Sequence, residues 1–226
     1  MPSGVQITIM IDDKKITCQP NQTVLEVAKS NSIEIPTLCH NPLFPNHKVG
    51  SCRMCLVEIT GGGRPGLQPS CTLPVSSGLT LSTCSDAVYN ARRTVVELFL
   101  TEHVQKCRDC PISGDCNFAK LCRDYDINGV PVCSECPNQK EGCLLKRGVL
   151  CLGPLTYANC NAYCTRQGYR CEGCHTIMVH EDILRFGIRA YMDAGFKAKE
   201  VLEAAKVFSF DAVERLEKVM KEEGFR

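Results

Sequence analysis

Eighteen of the 226 residues are cysteine, and the chain has no tryptophan. Eight of the cysteines form four C-x2-C pairs, and two intervening residues let both sulfur atoms of a pair face one centre. A disulfide framework would instead join cysteines that lie far apart along the chain. The spacing therefore predicts metal centres rather than disulfides. The pairs are Cys52/Cys55, Cys107/Cys110, Cys133/Cys136 and Cys171/Cys174.

The rest of the sequence indicates the cellular compartment of the protein. The first 15 residues lack the basic region, apolar run and small-residue cleavage site of a secretory signal. No apolar run reaches the ~18 residues of a membrane span. We therefore predict a cytoplasmic protein without a membrane span, in which thiols stay reduced. The 26 Lys and Arg are balanced by 25 Asp and Glu, which argues against a nucleic-acid-binding surface.

Residues 1–83 have the pattern of a small β-rich domain. From Val5 to Ile11, apolar residues alternate with polar or exposed ones, which is the period of a half-buried strand. Lys15 to Cys18 is predicted to return as its hairpin partner. A helix capped by Asn21 or Thr23 follows, with an apolar face.

Periodicity also predicts the later elements. Residues 55–59 are a predicted strand, and the G-x-G-x-x-G at 61–66 opens no helix, so we interpret it as a hairpin loop and not a dinucleotide site. Ser85 to Glu102 is a predicted helix. Its expected apolar stripe consists of Val88, Ala91, Val95, Leu98 and Phe99.

The region after residue 181 is predicted to be helical in two or three pieces, and its last helix has an apolar stripe. The stripe is expected to pack into an intramolecular core, with docking onto a partner subunit as the alternative. The predicted helices are Ile183 to Ala194, Lys197 to Val207, and one capped by Ser209 or Asp211 and ended by Gly224; the stripe is Val213, Leu216 and Met220.

The first cysteine group has the order C-x12-C-x2-C-x15-C. Together with the strand–hairpin–helix pattern, the fragments IPTLCH and GSCRMCLVEI resemble the N-terminal [2Fe–2S] domain of the large peripheral-arm subunit of respiratory complex I, also found in NAD-linked hydrogenases and formate dehydrogenases. Backbone N–H groups of Gly50 and Ser51 are expected near the sulfurs. A thioredoxin-like pair would leave two of the four cysteines unexplained. The group is Cys39, Cys52, Cys55 and Cys71.

The second group, HVQKCRDCPISGDC, has the order H-x3-C-x2-C-x5-C. It resembles the His-ligated [4Fe–4S] segment of the same family, and the resemblance extends over about residues 5–125. A zinc site with three cysteines and one histidine is the competing assignment. The group is His103, Cys107, Cys110 and Cys116.

Eight further cysteines lie between residues 133 and 174. The elements C-x2-C-P, CLL..G..CLGP-x-T and a terminal C-x2-C are similar to the C-terminal cluster segment of the small subunit of soluble [NiFe] hydrogenases. This resemblance implies two [4Fe–4S] clusters, which we assign in sequential blocks, with an interleaved pairing as the alternative. The third group is Cys133, Cys136, Cys143 and Cys151; the fourth is Cys160, Cys164, Cys171 and Cys174.

The predicted fold is therefore α+β with four segments. They are a β-grasp [2Fe–2S] ferredoxin domain, a helical segment whose [4Fe–4S] cluster has one histidine and three cysteine ligands, a loop module organised by two [4Fe–4S] clusters, and a C-terminal helical tail. The expected boundaries are 1–83, 84–126, 127–180 and 181–226. The loop module has too little apolar periodicity to fold by core burial alone. Cys18, Cys84 and Cys122 are expected to be buried free thiols rather than ligands.

The resemblances imply an electron-transfer subunit with one [2Fe–2S] and three [4Fe–4S] clusters. It would belong to a hetero-oligomer and connect a flavin/NAD(P)H-oxidising subunit with a second redox subunit, hydrogenase-like or another reductase. The complexes that fit include electron-bifurcating ones, of the hydrogenase, formate dehydrogenase or benzoyl-CoA-reductase type. The sequence offers no catalytic residue of its own. A zinc-organised scaffold and a thiol-based enzyme remain the alternatives.

Overall fold

The computed structural model of the chain describes residues 6–40, 49–103, 107, 110–178 and 180–226. Val5 of the predicted first strand and residues 41–48 of the first cysteine loop lie outside the described residues. The chain divides into two compact units, Met1–Phe99 and Leu100–Arg226. The finer boundaries at residues 83, 126 and 180 stay a prediction.

The N-terminal unit begins with the predicted hairpin. Strand β1 (Ile7–Ile11) pairs antiparallel with β2 (Lys14–Cys18), and Ile9 lies opposite Ile16. Asp12 and Asp13 adopt φ values of 48° and 65° in the two-residue turn. Asp tolerates this left-handed conformation, and two such residues match the twist of a tight hairpin.

Three more strands complete a mixed sheet in the order β2-β1-β5-β3-β4. They are β3 (Leu56–Gly61), β4 (Gly66–Pro69) and β5 (Thr80–Ser82). Strands β3 and β4 form an antiparallel pair, so the glycine-rich stretch between them is the predicted hairpin loop. Strand β5 inserts between β1 and β3, parallel to β1 and antiparallel to β3.

Helix α1 (Val24–Ser30) covers this sheet. A capping box starts it: the Glu26 N–H donates to Thr23 Oγ1 at 3.3 Å, and the Glu26 carboxylate accepts the Thr23 N–H at 2.6 Å. The side chains of Val24, Val27 and Ala28 are at most 1% exposed, in one core with the inward-facing residues of the sheet.

Helix α2 (Asp86–Glu102) has the predicted extent, but its predicted apolar stripe is largely wrong. The buried positions are Val88, Arg92 and Val96, whereas Leu98 and Phe99 are exposed. The prediction assigns only apolar residues to the buried face of the helix. The helix instead turns Arg92 inward, where its guanidinium donates a 2.6 Å hydrogen bond to the Leu56 carbonyl.

The C-terminal unit is helical at both ends and irregular between them. Short 3₁₀ turns occupy Val132–Ser134, Pro137–Gln139 and Leu145–Arg147, as expected for a loop-like module. The helices are α3 (Asn117–Asp124), α4 (Tyr163–Arg166), α5 (Glu181–Asp193), α6 (Ala198–Ala205) and α7 (Val213–Glu222).

One hydrophobic core joins the cysteine-rich loops to the last three helices. Leu152 and Leu155 of the loops are buried in it with Leu184 of α5 and Leu216 of α7. The close packing needs Gly187, because a Cβ there would lie 2.5 Å from the Leu155 side chain. The intramolecular packing predicted for the α7 stripe is thus confirmed for Leu216 and Met220, whereas Val213 lies outside this core. The side-chain cap predicted at Ser209 or Asp211 does not form: Ala212 is the N-cap of α7, and the Ser209 hydroxyl accepts the Ile177 N–H at 2.9 Å. Among the described helices, none combines the length and apolar character of a membrane span.

Candidate metal centres

The structure brings the four cysteines of the first group together beside the sheet. Cys55 directly precedes β3, and Cys71 lies just after β4. Because β3 and β4 are paired antiparallel, the register of this hairpin brings the two cysteines close together. Both are at least 96% buried. Burial, with the nearby Cys55 thiol, raises the pKa of Cys71 to about 12, and Cys39 adds to the repulsion. Cys39 in turn lies against Cys52.

Backbone N–H groups point at these sulfurs, as predicted. The Gly50 N–H faces Cys71, and the Ser51 N–H faces Cys39. For Cys52, burial raises the pKa, but the N–H groups of Met54, Leu38 and Cys39 together with the Cys39 thiol outweigh it, and the net pKa is lowered. Donors aimed at sulfur stabilise negative charge on a thiolate or on a cluster that it holds.

The second group surrounds the start of α3. Cys116 is the N-cap residue of that helix. Burial, with repulsion from Cys116 and Cys110, raises the pKa of Cys107 to about 12. His103 follows the end of α2, and its ring centroid is 4.9 Å from that of Phe118 on α3. The contact holds the imidazole next to the helix that Cys116 begins.

Cys122 also belongs to this neighbourhood. It is fully buried on α3, as predicted, and burial followed by the proximity of Cys116 raises its pKa to about 12. Its separation of six residues from Cys116 falls outside any C-x2-C pattern.

The third group lines one cavity. Cys133, Cys136, Cys143 and Cys151 all contribute to its wall, together with apolar side chains such as Val132 and Leu145. Gly153 leaves room inside: a Cβ there would lie 3.5 Å from Cys133 Sγ and 3.6 Å from Cys151 Sγ. Burial and repulsion from the other three thiols raise the pKa of Cys133 well above its usual value.

Two hydrogen bonds hold Cys151 in the wall of this cavity. The buried Tyr191 hydroxyl on α5 donates a 2.8 Å hydrogen bond to the Cys151 carbonyl. The N–H of Cys171 donates to Cys151 Sγ at 3.3 Å. Cys171, assigned to the fourth group, therefore also touches the third.

The fourth group is only partly assembled around Cys171. Cys171 is buried, and burial raises its pKa to about 12, with Cys151 and Cys160 adding repulsion. Cys164 lies on α4, and both it and Cys174 are exposed. The structure thus places two of its four cysteines, Cys164 and Cys174, at the surface of the C-terminal unit.

The two other unassigned cysteines differ from each other. Cys18 is buried at the end of β2, as predicted. Cys84 is exposed, so the prediction that it is buried is wrong. It lies in the turn before α2, where its N–H donates to Ser82 Oγ at 3.3 Å and its thiol is 3.9 Å from the Asp12 carboxylate.

The donor sets of the first and third groups fit iron–sulfur clusters. Thiolates grouped in fours, buried and faced by backbone N–H groups, are the environment that such clusters take in proteins. The space that Gly153 leaves between two sulfurs is a cradle that any larger side chain would fill. In the described part of the chain, no three His, Cys, Asp or Glu side chains form a site for a single metal ion.

Two protein-family models match this chain. Residues 4–86 match the 2Fe-2S iron–sulfur cluster binding domain, and residues 92–131 match the NADH-ubiquinone oxidoreductase-G iron–sulfur binding region. The chain therefore carries a ferredoxin-like [2Fe–2S] domain followed by a [4Fe–4S] binding region. The resemblance of its N-terminal half to the complex I family is confirmed.

Known relatives include hydrogenase subunits. Subunit HndD of the NADP-reducing hydrogenase of Solidesulfovibrio fructosivorans is 41% identical over 128 residues, covering 55% of this chain and 22% of its own length. The gamma subunit of the NAD-reducing hydrogenase HoxS of Cupriavidus necator is 31% identical over 123 residues, covering 54% and 50%.

One relative extends into the second half of the chain. The alpha subunit of the NADPH-Fe(3+) oxidoreductase of Geobacter sulfurreducens is 30% identical over 179 residues, 76% of this chain and 20% of its own length. The chain thus spans between a fifth and a half of the length of these relatives.

Proposed function

We propose that this chain is an electron-transfer subunit that carries one [2Fe–2S] and three [4Fe–4S] clusters. It relays electrons between a flavin/NAD(P)H-oxidising subunit and a second redox subunit. The complex is an NAD(P)-linked hydrogenase or a related oxidoreductase, in line with what its relatives are named for.

Each of the four residue groups holds one cluster in this proposal. The first group holds the [2Fe–2S] cluster and the second, with His103 as its nitrogen ligand, holds a [4Fe–4S] cluster; both fall within the matched family regions. The third and fourth groups hold one [4Fe–4S] cluster each. The shared cavity of the four third-group cysteines supports sequential blocks over interleaved ones.

The chain's own residues set how these centres behave. A bound iron–sulfur cluster supplies reversible one-electron chemistry. The N–H groups of Gly50, Met54 and Cys171 face sulfur atoms and favour the more negative, reduced state. Apolar side chains such as Val132 and Leu145 line the third-group cavity.

The contact between the second and third groups is the observation that carries the proposal. The Ser113 hydroxyl donates a 2.7 Å hydrogen bond to the Cys133 carbonyl. The Gly114 N–H donates a 3.0 Å bond to the Ser134 carbonyl. Two cluster-binding segments in direct hydrogen-bond contact are suited to pass electrons to each other.

The exposure of the fourth group supports a relay that ends at a partner. Cys164 and Cys174 are exposed, whereas Cys55 and Cys71 of the first group are buried. A cluster held there is accessible to a second redox protein, whereas the first group resembles domains that dock onto NADH-oxidising flavoproteins.

Metal analysis tests the proposal directly. The full chain, purified without oxygen, is expected to contain about 14 iron atoms and to give paramagnetic signals from four clusters after reduction with dithionite. Cys116→Ser is expected to remove the signal of the second group alone. Cys18→Ser, a buried cysteine outside the groups, serves as the control and keeps all four signals.

Two outcomes would contradict the proposal. A colourless protein with stoichiometric zinc would establish the zinc-organised scaffold instead. Full iron content with signals from fewer than four clusters would refute the assignment of the third and fourth groups while leaving the matched regions intact.

A further inference from the structure

The second and third groups meet along a short seam in the C-terminal unit. Besides the bonds from Ser113 and Gly114, the seam depends on a close backbone approach at Gly114. Its φ is +86°, and a Cβ there would lie 2.4 Å from the Cys136 carbonyl oxygen. Any side chain would therefore push the two segments apart.

One buried side chain reaches across the same seam. Gln139 is 7% exposed and lies in the wall of the third-group cavity. Its Nε2 donates a 3.3 Å hydrogen bond to the backbone carbonyl of Cys107. A single residue thus contacts a second-group ligand and the third-group cavity at once.

The stability of the fold does not explain why the buried residue 139 is a polar glutamine. Its Oε1 is buried and has no hydrogen-bond partner among the described residues. A buried acceptor without a donor costs folding free energy. The Cys107 carbonyl also accepts the Cys110 N–H at 3.3 Å, so it does not depend on Gln139 alone. An apolar side chain of the same length would serve the core at least as well.

We propose that Gln139 is a positioning residue for electron transfer between the second and third clusters. Its amide holds the Cys107 backbone against the wall of the third-group cavity and so fixes the separation of the two centres. The transfer moves one electron from one centre to the other and changes no bond to Gln139. This inference rests on the proposed function, because it requires clusters in both groups.

The test is the magnetic interaction between the two reduced clusters in the full chain, measured by electron paramagnetic resonance. The second-group signal is the one lost in Cys116→Ser. The part of its splitting that comes from the third group is the part lost in Cys133→Ser. We expect Gln139→Met, which keeps length but loses the amide, to retain all iron and the parent melting temperature yet show a smaller splitting.

Asn138→Leu is the matched control. Asn138 lines the same cavity, but its amide donates to the Thr165 carbonyl at 2.6 Å and not to the second group. We expect its splitting to equal that of the parent chain. An equal loss in both variants would mean that any change in the cavity wall has this effect, which overturns the specific role of Gln139.

The remaining outcomes are also decisive. Unchanged splitting in Gln139→Met overturns the inference and leaves the proposed function standing. A lower melting temperature with loss of iron assigns Gln139 a purely structural role and likewise overturns it. Absence of a third-group signal in the unsubstituted chain refutes the proposed function itself.

Discussion

Individual residues of the second group show how neighbouring residues position a proposed cluster ligand. His103 follows the last turn of α2, and the ring of Phe118 holds it close to the start of α3. Cys116 occupies the N-cap of that helix. Two helix ends and one ring contact thus place a nitrogen and a sulfur donor in the same neighbourhood.

Replacing this histidine tests its role as a ligand. In His103→Cys, an anionic thiolate replaces a neutral imidazole, so we expect a cluster that still assembles but has a lower midpoint potential. Redox titration of the second-group signal measures the change. His180→Cys, the same substitution at the exposed N-cap of α5, should change nothing. Unchanged iron and potential in His103→Cys would show that His103 is not a ligand.

A second residue-scale prediction concerns Tyr191, whose side chain is fully buried behind the third group. Tyr191→Phe removes the donor to the Cys151 carbonyl, and a buried acceptor that loses its partner costs roughly 1–3 kcal/mol. Anaerobic thermal unfolding followed by circular dichroism measures the loss. Tyr163→Phe, at a residue that is 68% exposed, is the control. Equal stability of both variants would contradict the anchoring role.

At the scale of elements, the sequence predicts the regular parts of this fold well. The β1–β2 hairpin follows from apolar periodicity, and α1 follows from periodicity and its cap at Thr23. The extents of α2 and of the three C-terminal helices also follow from the sequence, although the buried face of α2 and the cap of α7 do not. Strand β5 does not, because its three residues are too few to show a period. The burial of Arg92 could not be predicted either, because its acceptor, the Leu56 carbonyl, comes close only in the tertiary fold.

Helices α5 and α7 are joined by charge as well as by packing. Arg185 Nη1 and Arg189 Nε donate to the Glu223 carboxylate at 2.8 and 3.0 Å. The Arg185 hydrogen bond, followed by that of Arg189, lowers the pKa of Glu223. A carboxylate with a lowered pKa stabilises the folded state above the ordinary Glu pKa of about 4.3.

Glu223→Gln is therefore expected to lower the free energy of unfolding slightly, by less than about 1 kcal/mol, because the pair is near the surface. The difference from the parent should be constant above about pH 4.3 and vanish as the pH falls through the lowered pKa. Denaturant unfolding at low salt measures it. Glu217→Gln, whose partner Lys221 lies on the same helix at 2.9 Å, should cost less. A difference that grows towards acid pH would contradict this sign.

The whole chain combines two ways of stabilising a fold. The N-terminal unit has a sheet core built from Ile, Val and Leu, in which cysteines are a minority. In the C-terminal unit, the loops between α3 and α4 contain only short 3₁₀ turns. The sequence predicts their loop character but not the core that they share with α5 to α7, because that core joins residues whose apolar positions have no common period.

Removing iron should therefore affect the two units unequally. Metal binding that is coupled to folding is lost together with local order. We expect fast amide exchange over residues 130–175 after chelation, and retained protection in β1 and β3. Hydrogen exchange read by mass spectrometry gives the comparison, with the untreated chain as reference. Full protection of residues 130–175 without iron would show that the core alone orders them.

The packing of Gly187 against Leu155 has a consequence for protein engineering. Because the C-terminal helices complete the wall behind the cysteine loops, they are not an exchangeable tail. A chimera that grafts residues 127–180 onto another carrier would leave an open hydrophobic face where α5 belongs. Grafts of this region need a boundary that lies beyond α7.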